Sequence, residues 1–311
     1  MTTGTRRGFF FRAAATAAVL ALAAQKAPPD ANASSYGVRD ARPPAATASP
    51  RFKRMMIVIF ENTDFKTALT QPAFAEMARR GALLTNYYAV THPSLPNYVA
   101  LVAGGTRGVI SDADASAPGR NIGDLLEAAG KSWKVYAEDY PGGCDLKSRV
   151  GPYARKHVPF LNFADVQKNP AACARVVPAA RLAEDIRLGR LPDYSLYIPD
   201  LNDDGHDTDA AYAAGWFAGR FKPLLKNPQL MKGMLLVLTF DEDSQGQDDG
   251  GKGLNHNRVY TVLYGGMVRP GAVSAGHYTH YSLLRLAEDN WGLARLDAGD
   301  ASALPISGVW R

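Results

Sequence analysis

Ser94 stands between two prolines in "THPSLPNYVALVAGG" (91–105). Pro93 and Pro96 restrict the backbone around it, and Pro96 is tolerated in the first turn of a helix. The pattern predicts a helix over 97–103 that stops at Gly104. Ser94 then sits at the helix N-terminus, where unpaired amides favour an anion. Taken alone, the stretch fits a capping serine better than a nucleophile, because serine is a favoured N-cap. The pairs Glu61-Asn62 and Asp241-Glu242, each closing an apolar run, change that balance. They offer only oxygen ligands, with Ser94 as a fifth. Such a set suits magnesium, calcium or manganese more than a thiolate-type zinc site. A cation there would lower the pKa of the hydroxyl and neutralise charge on a phosphoryl group.

Positioning these residues requires a scaffold, and the hydrophobic pattern supplies one. Apolar runs at 55–60, 194–199, 234–240 and 259–266 read as strands. Amphipathic stretches at 72–81, 121–130, 180–189, 210–225 and 281–293 read as helices, and "WKVYAED" follows the second of them. The alternation predicts an α/β fold with a mostly parallel sheet covered on both faces. Ligands of such sheets lie beyond the carboxyl ends of the strands. Glu61-Asn62 follows the first strand. Asp200 and "LNDDGHD" follow the second, and Asp241-Glu242-Asp243 the third; "GHYTHYS" comes after the last. Any one acidic loop is better read as solvated or helix-capping. Several together, with Ser94, point to one metal site.

Two segments mimic a calcium-binding EF-hand loop. The first, 200–211, ends in Ala211 where a bidentate glutamate is required, and the second, 241–252, ends in Lys252. Both are discounted. Of the histidines, His206 lies in a loop after a strand, and His280 precedes a helix and is expected in the same cleft. His92 neighbours the serine and fits a turn residue equally well. His256 and His277 are weaker candidates, and His157 reads as a surface residue.

The chain has 311 residues, 46% hydrophobic and 21% charged, enough for one large α/β domain or two small ones. Of its net charge of +5, the first 33 residues supply +3 through Arg6, Arg7, Arg12 and Lys26 against Asp30. The remainder, +2, gives no indication of a nucleic-acid surface. Residues 1–33 combine a basic start, a short apolar stretch and Ala31-Asn32-Ala33, the parts of an export signal. Arg6-Arg7 before Gly8-Phe9-Phe10 resembles the twin-arginine address; the alternative is an ordinary secretory signal. The stretch 13–24 is too short to span a bilayer, so the mature chain is expected periplasmic or secreted, with no stable membrane anchor. Residues 34–50 read as a flexible linker and 51–311 as a single domain. Cys144 and Cys173 form an even pair, compatible with a disulfide in an exported protein; spacing leaves their pairing open.

"FEN" (60–62), "PSLPNY" (93–98), "NDDGHD" (202–207), "TFDED" (239–243) and "HYTHYSLLRLAEDNWGL" (277–293) occur in this order. The set resembles the bacterial phosphoesterases that join acid phosphatases with phospholipases C, in the alkaline phosphatase superfamily. The resemblance implies an alkaline-phosphatase-like fold. It assigns Glu61, Asn62, Asp241 and Glu242, with Ser94, to a divalent metal (magnesium, calcium, manganese or zinc) and makes Ser94 the nucleophile. It places His206 and His280 as catalytic residues at the phosphate, and His92 and Asn97 beside Ser94 are expected to bind substrate. The chain lacks room for the large inserted segments of the phospholipases and larger acid phosphatases. The related sulfatases carry arginine where Tyr98 stands, which disfavours that activity. The expectation is an exported, metal-dependent phosphomonoesterase that acts on small phosphate esters through a phosphoserine. A phospholipase C-type phosphodiesterase is the alternative, and a non-catalytic exported binding protein a more distant one. Oligomeric state is left open.

Overall fold

Arg54–Phe60 and Met234–Phe240 are apolar along their whole length and pair in parallel, register Phe60 to Phe240, at the centre of the main sheet. A run with no polar alternation must be covered on both faces, and all but Arg54 of these fourteen residues are buried. The computed structural model describes Met1 and residues 51–244 and 257–311. Apart from Met1, the expected leader (1–33) and linker (34–50) lie outside the described residues, as do His256 and most of the second EF-hand-like segment.

Among the described residues the main sheet has eight strands. Its order is Ala272–Ser274, Ala82–Leu84, Thr261–Tyr264, Met234–Phe240, Arg54–Phe60, Tyr194–Ile198, Trp133–Ala137 and Val176–Pro178. Among these described strands, Thr261–Tyr264 alone runs against the others. The sheet is thus mostly parallel, as the sequence pattern implies.

Helices form where expected, with shifted ends. Pro72–Arg80, Ile122–Ala128, Arg181–Leu188 and His280–Trp291 match the amphipathic stretches. The stretch 210–225 is α-helical only over Ala210–Trp216 and then changes pitch, with a π turn at Phe217–Phe221 and a 3-10 turn at Lys222–Lys226. Phe217 and Phe221 stack on each other there. Below the strand ends, Phe60 packs against Phe74, Trp216, Phe217 and Phe240. This aromatic layer backs the residues that follow Phe60 and Phe240.

The helix carrying the serine runs Ser94–Ala103 and is buried throughout; Gly104 ends it in the left-handed region, φ 71°. Gly104 is needed there, since a Cβ would meet the Asp300 carboxylate. The helix begins three residues earlier than expected, because Pro96 sits in its first turn, where no amide is missed. Pro93 is the N-cap, so Ser94 is the first helical residue and caps nothing. Cys144 and Cys173 are joined by a disulfide, with Cα atoms 5.6 Å apart.

Candidate active site

The sheet register brings the two carboxylate pairs together. Asp241 donates its backbone N–H to Phe60 O (2.9 Å), which places it beside Glu61 on the neighbouring strand. Asn62 donates its own backbone N–H to Asp241 Oδ1 (3.2 Å) and its side-chain amide to Glu242 Oε1 (2.8 Å). Above them the first turn of Ser94–Ala103 delivers the serine. Ser94 Oγ lies 3.2 Å from Glu61 Oε2 and 3.4 Å from Glu242 Oε1. Glu61, Asn62, Ser94, Asp241 and Glu242 thus form one hydrogen-bonded set at the carboxyl edge of the sheet.

Its electrostatics are unbalanced. Glu61, Asp241 and Glu242 are all buried. Burial, then Asp204, pushes the Glu61 carboxyl well above its usual range; burial, then Glu61, does the same to Asp241. Among the described residues, Asn62 Oδ1 and Asp241 Oδ2 are buried without a hydrogen-bond partner. Oxygen atoms left so, amid crowded carboxylates, fit a cation bound among them.

A third layer surrounds these residues. His157, whose sequence context points to the surface, is 1% exposed. It stacks on Tyr98 at 5.2 Å, with its Nε2 3.2 Å from Glu61 Oε1 and its Nδ1 3.4 Å from Asp204 Oδ2. Burial, then Lys156, pushes its pKa well down. Glu61, His157 and Asp204 form a group able to hold a metal ion. An imidazole beside the oxygens widens the set of suitable cations towards zinc. Tyr98 donates to Glu61 Oε1 at 2.6 Å, so the residue that departs from the sulfatase pattern has a structural use. Lys156 Nζ lies 2.7 Å from Asp112 Oδ2, and Asp112 Oδ1 accepts from the Leu95 amide at 2.9 Å. Lys156 is therefore linked to the residue next to Ser94. The basic triplet 155–157 was the only signal in the sequence for either residue.

The remaining candidates divide. His92 lies 2.9 Å (Nδ1) from Glu242 Oε2, and that bond raises its pKa. Asn97 does not face open space. Its Oδ1 accepts from the amides of Val90 and Thr91, and its Nδ2 donates to Thr91 O, Pro93 O and Glu242 Oε2. It holds the loop before Ser94 and bonds Glu242. His206 Nδ1 lies 2.7 Å from Asp207 Oδ1, and Asp207 in turn pairs with Arg149 at 2.8 Å. His206 and Asn62 line an open cleft of about 340 Å³.

His280 is hydrogen-bonded through both ring nitrogens. Its Nε2 lies 2.7 Å from Asp241 O and its Nδ1 3.0 Å from Tyr87 Oη. A carbonyl can only accept, so Nε2 carries the proton and Nδ1 accepts from the tyrosine. Burial drives its pKa down to about 4. In this arrangement the ring anchors the backbone of Asp241. Asp200 leaves the site and joins Glu138 and Asp203 in a separate acidic group, while Asp204 turns inward. His277 stacks on Tyr88.

A model of the phosphoesterase family matches residues 64–294. The chain is 35% identical over 269 residues to a probable acid phosphatase of Kluyveromyces lactis, covering 82% of this chain and 62% of that one. It is 34% identical over 264 residues to an acid phosphatase of Aspergillus fumigatus, covering 81% and 58%. A phosphatidylinositol-3-phosphatase of Mycobacterium tuberculosis is 33% identical over 271 residues, covering 86% and 85%. The chain thus spans about six tenths of the length of the two fungal relatives. Among solved structures, an alkaline phosphatase superfamily protein from Vibrio parahaemolyticus superposes with a TM-score of 0.59 at 11% identity, covering 83% of this chain and 72% of that one. The fold is that of the alkaline phosphatase superfamily.

Proposed function

The chain belongs to the phosphoesterase family, and from that premise we propose that it is an exported, metal-dependent phosphomonoesterase of the acid phosphatase type, working through a phosphoserine on Ser94. One observation carries the reading: a serine in the first turn of a buried helix, its hydroxyl held between Glu61 and Glu242. That placement costs the serine its capping role and aims it into the carboxylate set. The relatives are named as phosphatases, which supports hydrolysis of phosphate esters.

Glu61, Asn62, Ser94, Asp241 and Glu242 would hold the divalent cation, which supplies charge neutralisation and a lower pKa for the Ser94 hydroxyl. Ser94 Oγ attacks phosphorus as the bond to the leaving oxygen breaks, and its proton passes to the carboxylate pair it faces. His206, oriented by Asp207, protonates the departing alkoxide. Water then attacks phosphorus as the bond to Ser94 Oγ breaks; His206 takes the water proton, and the carboxylate pair returns the serine's proton to Oγ. Lys156, through Asp112, fixes the first turn of the helix against the developing charge.

Export to the periplasm or beyond rests on the signal-like leader and on the Cys144–Cys173 disulfide, which persists in an oxidising compartment. The test compares p-nitrophenyl phosphate with its choline phosphodiester analogue, each with and without chelator. Chelator-sensitive turnover of the monoester alone is expected. Faster turnover of the diester would favour the phospholipase C-type reading, and no turnover of either would favour a binding protein.

A further inference from the structure

The cleft that opens from Asn62 and His206 has a lining unlike that of a promiscuous apolar pocket. Its walls carry two carboxylates, Asp64 and Asp209, and the hydroxyls of Thr67, Thr208 and Ser244. Ala210 is the largest purely apolar side chain in it, and no lysine or arginine lines it among the described residues. Both carboxylates are held in place. Asp64 Oδ1 accepts from the amide and hydroxyl of Ser244, at 3.1 and 2.8 Å. Asp209 Oδ1 accepts from the Tyr212 amide (2.8 Å) as the N-cap of its helix. Arg149, the arginine nearest to His206 in the hydrogen-bond network, is already paired with Asp207.

We propose that this cleft seats the leaving group, and that it selects phosphate esters of neutral, hydroxyl-rich alcohols while rejecting leaving groups that carry a further negative charge. The proposal rests on the phosphomonoesterase reading above. A polyol donates hydrogen bonds to carboxylate and hydroxyl oxygens, which suits a wall made of acceptors. A carboxylate or second phosphate on the leaving group would face Asp64 and Asp209, with no lysine or arginine among the described lining residues to offset them. Discrimination therefore comes from repulsion built into the wall as much as from attraction.

Glycerol phosphate and phosphoglycerate differ by one carboxylate and form the probe pair, with p-nitrophenyl phosphate as reference. The metal-loaded wild-type protein is expected to prefer glycerol phosphate by about tenfold or more in kcat/KM. Asp64→Asn with Asp209→Asn removes both charges while keeping each accepting oxygen, and asparagine remains a good N-cap. That double variant is expected to narrow the preference by about threefold or more, chiefly by recovering phosphoglycerate. The preference is a ratio on one sample, so a loss of folded protein cancels. Equal turnover of the two esters by wild type, or a preference unchanged in the double variant, would overturn the proposal alone. Silence on all three substrates would overturn the phosphatase reading, and this inference with it.

Discussion

Ser94 Oγ lies 3.2 Å from Glu61 Oε2, although 33 residues separate them in sequence. The contact exists because the sheet ends Arg54–Phe60 just where the helix Ser94–Ala103 begins. Ser94→Ala is expected to reduce kcat by about a thousandfold or more, as loss of a nucleophile does. Ser94 is not the N-cap, so the usual capping loss of about 1 kcal/mol does not apply, and the urea midpoint is expected to stay near that of wild type. Retained activity would return Ser94 to a structural role.

The two histidines at the strand edge separate by leaving-group dependence. His206 lines the cleft, whereas His280 spends both nitrogens on Asp241 O and Tyr87. His206→Ala is expected to slow alkyl phosphates about tenfold more than p-nitrophenyl phosphate, whose leaving group needs no proton. His280→Ala is expected to slow both equally and to lower stability, because it leaves a buried carbonyl without its donor. Steady-state kinetics on the two substrates, with a denaturation curve for each variant, decides it.

Lys156 and His157 test the part of the site the sequence did not announce. Lys156→Met removes the charge beside Asp112, and His157→Ala removes the ring between Glu61 and Asp204. Each is expected to reduce kcat/KM by about tenfold or more. Asp112→Asn, which keeps the oxygen that accepts from Leu95, is expected to retain more activity than Asp112→Ala. Equal loss in both Asp112 variants would remove the positioning role from that pair.

Much of the scaffold was legible because strands buried on both faces read as unbroken apolar runs, and the polar residues that close them stand out. Glu61, Asn62, Asp241 and Glu242 share that signature. The histidines were not legible. His157 lies in a short 3-10 turn with polar neighbours, which looks like surface until Tyr98 and Asp204 close over it. For His280 the sequence offers a motif, while its bond to the Asp241 carbonyl is one that no side-chain pattern records. The bonds of Asn97 were hidden for the same reason, since most of them go to the backbone of 90–93. The helix start at Ser94 was hidden by Pro96, which reads as a boundary but is tolerated one turn in.

Glu288 gives a stability prediction away from the site. It is fully buried, with Arg295 2.9 Å from Oε2 and Oε1 without a partner, and burial, then Asp300, raises its pKa to about 9. A carboxyl with a raised folded pKa contributes stability that is full below its unfolded pKa and lost as pH rises through the folded value. The urea midpoint is therefore expected to fall between about pH 5 and pH 9, and Glu288→Gln to flatten that fall. An unchanged pH profile in the variant would show that Glu288 is ionised in the folded protein.

The most direct measurement is acid-quenched turnover of a phosphomonoester by the metal-loaded protein, followed by peptide mass spectrometry. The expected result is a single phosphoryl group on Ser94, absent after chelation and absent from Ser94→Ala. Steady phosphate release with no phosphoserine at any quench time, or with the phosphoryl group on another residue, would contradict the account.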